Sequence, residues 1–99
     1  MANKQRGFVK IELDKARHLR YTMNALAEIE DQLGVPLAEL QNVKMTMKNV
    51  RVILWAGLIH EDKELTQEDV GEMVDLGNME YVQERVAEAF AMVEKGKNS

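Results

Sequence analysis

The chain of 99 residues contains no cysteine. That excludes disulfides, thiolate metal sites and cysteine nucleophiles. Ser99 is its one serine, which removes a serine nucleophile held in a triad. One proline and six glycines are too few for long irregular stretches away from the ends. There is no glycine-rich phosphate loop, and the opening MANKQRGFVK lacks the apolar run of a secretory signal. Long apolar runs are missing too. The richest, VRVILWAGLI at 50–59, would rise about 15 Å as a helix, about half a bilayer core. A cytoplasmic protein without a membrane span is therefore expected.

What is present is ordinary for a globular domain. Apolar residues make up 45% and charged residues 30%, so one domain over 1–99 is expected, ordered from about 7 to 94. Within 50–59, Val50, Ile53, Leu54, Gly57 and Leu58 form a stripe at helical spacing, and Val52, Trp55 and Ile59 widen it. Apolar character nearly all round predicts a central helix over 46–60, packed on several sides. Thr46 is placed to cap it, with Lys48 and Arg51 on its outer face. Gly57 is expected to let a neighbouring helix approach.

The other segments follow from periodicity and punctuation. Residues 7–13, GFVKIEL, alternate with Val9, Ile11 and Leu13 on one side, which predicts a short strand. From Lys15 to Leu33, the residues Leu19, Thr22, Met23, Leu26, Ile29 and Leu33 predict a helix ended by Gly34. Pro36 opens a turn of helix through Leu40. Thr66 and Asp69 form a capping box, with Leu65 and Val70 as its hydrophobic staple, for a helix carrying Met73 and Val74 and ending at Gly77. Asn78 then caps a last helix with the stripe Met79, Val82, Val86, Phe90 and Val93. Trp55, Met23, Met73 and Met79 fall on apolar stripes and are assigned to the core. The expected fold class is mainly α: a compact domain of four to five helices around the central helix, with a short N-terminal β-strand.

Candidate chemistry is sparse. His60 and Glu61 begin the zinc motif HExxH, but position 64 is Glu, so the second ligand is absent. The only other histidine is His18, and both are expected at the surface or at helix ends. Glu61, Asp62 and Glu64 lack the glycine and ligand spacing of a calcium loop. Residues 65–90 imitate a helix-turn-helix, yet the recognition helix would present Glu80, Glu84 and Glu88 beside Gln83 and a single base, Arg85. Such a face repels phosphates. Lys44, Lys48 and Arg51 lack interleaved aromatics. No catalytic residue, metal, cofactor or nucleic-acid partner is expected, and the protein reads as a non-enzyme.

Two features point to protein partners. Residues 1–60 hold nine Lys/Arg against six Asp/Glu, or +3, while residues 61–99 hold four against eleven, or −7, which sum to the −4 of the chain. This describes either solvated helix faces or basic-on-acidic self-association that salt would weaken. Met45 and Met47 flank the start of the central helix in a loop-like segment, and methionine suits surfaces that hold variable partners. The expected contact positions are Met45, Met47, Val50 and Arg51, with Tyr81 and Met92 on the last helix.

The stretches KIELDKARHLRYTMNALAEIEDQLGVPLAEL and MKNVRVILWAGLIHEDKELTQEDVGEMVD resemble the tail assembly chaperones of long-tailed bacteriophages and prophages. The resemblance covers about residues 9–90. Its telling pieces are RHLRYTMNAL at 17–26, the Gly34-Val35-Pro36 turn, ILWAGLIHED at 53–62 and LTQEDVG at 65–71. The resemblance implies a small, mainly helical non-enzyme of the host cytoplasm, absent from the finished tail. Its partners would be the tape measure protein, which it coats, and the tail tube protein, which it recruits. In many members a ribosomal frameshift adds a C-terminal extension, and Gly96-Lys97 is a dipeptide that a slippery run can encode. The competing reading is a helical adaptor of a prophage or bacterial operon with a different client.

Overall fold

The computed structural model describes residues 8–98, with side chains through Ala91 except that of Gln41. The alternating N-terminal stretch forms strand β1 (Val9–Glu12), with Val9 and Ile11 buried and Lys10 and Glu12 in water. Its partner is β2 (Ala16–Leu19), antiparallel, with Val9 opposite Leu19 and Ile11 opposite Arg17. The sequence predicts helix from Lys15 onward, so β2 is a correction. Its inward residues are Arg17 and Leu19, and a charged residue at an inward position conceals the period of two.

Helix α1 (Met23–Leu33) therefore starts eight residues later than predicted. Thr22 is its cap, accepting a hydrogen bond from the Ala25 N–H at 3.1 Å. Gly34 ends it at φ 72°, in the left-handed region that favours glycine, and its N–H donates to the Glu30 carbonyl. With this start, Ala25 and Ile29 face inward while Met23, assigned to the core from its spacing, is 84% exposed. A 3₁₀ helix (Leu37–Asn42) follows Pro36 and buries Leu40.

Helix α2 (Met47–Leu58) begins after Thr46, whose hydroxyl accepts from the Asn49 N–H at 3.2 Å. It buries Val50, Val52, Ile53, Leu54, Ala56, Gly57 and Leu58, and it touches α1, β2, the short helix α3 (Gln67–Gly71) and helix α4 (Met79–Asn98). Gly57 does admit a close neighbour, but that neighbour is not a helix. A Cβ there would lie 2.7 Å from the Tyr21 ring and 2.9 Å from Leu19. The Gly57 carbonyl accepts the Arg20 N–H at 2.9 Å, and the Tyr21 hydroxyl donates to the Ile53 carbonyl at 2.7 Å. Trp55 is half-buried and donates its indole N–H to the Leu65 carbonyl at 2.9 Å.

Both arms of the Thr66–Asp69 capping box are made, and Leu65 and Val70 are buried. However, α3 stops at Gly71 rather than running to Gly77. Asp75 Oδ1 accepts from the N–H groups of Gly77 and Asn78, and Asn78 Oδ1 accepts from that of Asp75. These short side chains offer the backbone an alternative to helix. Asn78 is thereby turned backward and does not cap α4 with its side chain, although its carbonyl accepts the Val82 N–H. Met73 and Met79 are half-buried against the core. Helix α4 packs Val82, Val86 and Ala89 on the hairpin and α2, and Phe90 stacks on Tyr21 at 4.4 Å.

A lone two-stranded hairpin is marginal in water. Here both of its edges are covered. Along β1, the Glu12 N–H donates to the Tyr81 hydroxyl at 2.8 Å and Arg85 donates to the Lys10 carbonyl. Along β2, the His18 N–H donates to Glu61 at 3.1 Å, and the His60 ring bonds the His18 carbonyl at 2.8 Å. Side chains of α4 and of the turn after α2 thus occupy backbone groups on both edges of the hairpin.

Candidate docking grooves

Several titratable residues hold parts of the fold together. Arg17, 5% exposed, forms a two-point pair with Asp14 at 2.7 and 2.9 Å. The guanidinium holds the Asp14 carboxyl down at about 2, and the same hydrogen bonds raise Arg17. Burial pushes Glu61 up, but hydrogen bonds from the His18 ring and backbone, together with the charges of His18 and His60, bring it below its usual range. Burial alone drives the Tyr21 phenol far above its ordinary value. His18 and His60 both lie against Phe8, at 6.2 and 5.9 Å between ring centroids. One ring nitrogen of each is used, His18 Nδ1 on Glu61 and His60 Nε2 on the β2 edge. Among the described residues, no group of three or more His, Asp or Glu is arranged to hold a metal ion.

The surface around the first half of α2 is different. Between α2 and the α3 region lies a groove of about 200 Å³, whose walls include Met47, Arg51, Leu54, Val70, Val74 and Met79. Between α2 and α4 lies a second, of about 290 Å³, walled by Met45, Val50, Ile53, Val86, Ala87 and Phe90. Val50 lines both. Each groove has one exposed methionine at its rim, Met47 at 58% and Met45 at 52% exposure. These adaptable side chains stand in water beside apolar concavities, as in sites that receive apolar groups of varied shape.

The structure thus brings together four of the six sequence-predicted contact residues. Met45 and Met47 are rims, Val50 is the shared floor, and Arg51 lines the smaller groove. Arg51 Nε is buried without an acceptor, and the guanidinium forms no salt bridge among the described residues. Tyr81 lies apart from them. Its hydroxyl is engaged by β1, and the Arg85 guanidinium sits 6.0 Å from its ring. The Met92 side chain lies outside the described residues. Sequence reasoning missed the facing walls, Val86, Ala87 and Phe90 on α4 and Val70 and Val74 near α3. Apolar spacing marks Val70, Val74, Val86 and Phe90 as inward, but nothing local tells which face they oppose, and Ala87 is an exposed position beside that stripe.

No family model, curated protein or solved structure matches this chain. Among the described residues, no helix is long and apolar enough to cross a membrane. The class that fold and surface define is a small, mainly helical domain carrying two apolar grooves with methionine rims.

Proposed function

We propose that this protein is a non-enzymatic tail assembly chaperone of a bacteriophage or prophage. It binds the tape measure protein in the host cytoplasm, helps recruit tail tube subunits, and is absent from the finished tail. The sequence resemblance over residues 9–90 motivates the reading. The observation that carries it is the pair of apolar grooves astride Val50, each with an exposed methionine at its rim. In this reading α2 is the central helix of the domain, and its flanks are the seats. The larger groove, at Met45, receives apolar side chains of the client helix.

Each seated side chain contributes about 1.5–3 kcal/mol at most, so one subunit holds its client weakly. Many subunits along one long client give tight yet reversible coating. Such a client would otherwise expose apolar helix faces until tube protein surrounds it.

Co-expression with a helical fragment of a tape measure protein tests this. The fragment should stay soluble with the wild-type chain and precipitate with a Met45→Glu/Ala87→Glu variant. Both positions are exposed, so the variant should keep its fold. A fragment that precipitates with the wild-type chain sinks the chaperone reading and leaves an adaptor with a different client. Equal rescue by wild type and variant moves the contact away from this groove.

A further inference from the structure

The smaller groove carries a charge that the larger one lacks. Lys48 and Arg51 line it, and the Arg51 guanidinium forms no salt bridge among the described residues. The first turn of α2, which supplies this wall, contains no acidic residue to balance the positive helix end. A fitting occupant would combine one apolar side chain with a carboxylate beside it.

The chain itself presents such a group. Leu76 is 84% exposed, at the tip of the turn joining α3 to α4. Asp75 precedes it, and exposed Glu72 and Glu80 flank the turn. This turn does not have to be ordered on binding, because Asp75 and Asn78 already tie it to its own backbone and Asn78 Nδ2 donates to the Met73 carbonyl. A groove of about 200 Å³ admits a side chain of leucine size. Val74 and Met79, the residues on either side of the turn, are walls of the groove, so the turn that carries Leu76 borders it. A patch that carries both halves of a contact is self-complementary about a two-fold axis.

We propose that two copies of this chain pair across such an axis, each seating Leu76 in the α2–α3 groove of the other with Asp75 facing Arg51. The pair closes the smaller groove and leaves the larger one free. A contact this small is weak, and its ionic part is screened by salt. It forms without any client, so it stands or falls separately from the chaperone reading.

Sedimentation equilibrium at low salt tests the pairing. The average mass should rise from the single-chain 11.3 kDa towards twice that value with concentration, across roughly 10 µM to 1 mM, and fall back in high salt. Leu76→Ser and Arg51→Met should each weaken association at least about tenfold, with thermal unfolding of the dilute single chain close to wild type. A wild-type chain that keeps its single mass throughout overturns the proposal. So does a Leu76→Ser chain that associates as well as wild type, or growth past two copies.

Discussion

Gly57→Ala is expected to destabilise the protein, although the same change inside a helix usually stabilises. Alanine gains about 1 kcal/mol over glycine in a helix interior. At Gly57 the added Cβ would meet Tyr21 at 2.7 and 2.8 Å and Leu19 at 2.9 Å. Neither neighbour can retreat easily. Leu19 is fully buried in the hairpin, and Tyr21 is fixed by its bond to Ile53 and its stack on Phe90. Overpacking of a filled core costs about 1–3 kcal/mol. With three contacts below ordinary distance, the clash outweighs the propensity gain by about 1–2 kcal/mol. For a domain of this size that lowers Tm by roughly 5–15 °C. Gly71→Ala is the control, since its Cβ meets only the movable Arg51 arm, at 3.3 Å. Thermal unfolding of both variants decides the matter, and a raised Tm for Gly57→Ala would show that the strand and helix are not in such close contact.

Asp14→Ala should produce the second large loss, one that depends on pH. Among the described residues it leaves the buried Arg17 guanidinium one salt-bridge partner, Asp62 at 4.0 Å. Breaking a fully buried pair costs about 3–5 kcal/mol. The Asp14 side chain is 46% exposed, and solvent screening reduces the loss here to about 1–2 kcal/mol. Asp14 titrates at about 2 in the fold against 3.8 for the free side chain. Its contribution is therefore complete above the unfolded value and is lost as pH falls towards the folded one. Urea unfolding should show a constant gap between wild type and variant from about pH 5 to 7, closing between about pH 4 and 2. A gap that persists undiminished at pH 2 would mean that the carboxylate charge is not what holds Arg17.

The two residues illustrate different limits on reading a sequence. Gly57 is visible as a glycine in an apolar helix, so close approach of something is predictable; that the visitor is Tyr21 and not a helix is not. Arg17 misleads outright. A buried arginine at an inward strand position breaks the alternation, and the spacing of Leu19, Met23 and Leu26 then imitates one continuous helix. The resulting error moves the start of α1 and puts Met23 inside when it stands in water. In the same way, the spacing of Val70, Met73 and Val74 suggests helix to Gly77, but the Asp75–Asn78 turn captures the backbone first. For the two candidate grooves, Met45, Met47, Val50 and Arg51 stand out in the sequence because they cluster along the chain. Their facing walls were not, because Val86 and Phe90 lie far away in sequence.

The sequence by itself determined what depends on neighbours a few residues apart. The caps at Thr46 and Thr66, the stop at Gly34, the inward face of β1 and the helical run through 50–58 all follow from such local hydrogen bonds and periodicity. The absence of cysteine chemistry follows from composition alone. Tertiary structure decided the pairing of β2, the neighbour of Gly57, the sealing of the hairpin edges and the two grooves. Those contacts join residues tens of positions apart, as Tyr81 joins Glu12 across 69 positions. Their free energy comes from shape and burial that exist only once the elements have met.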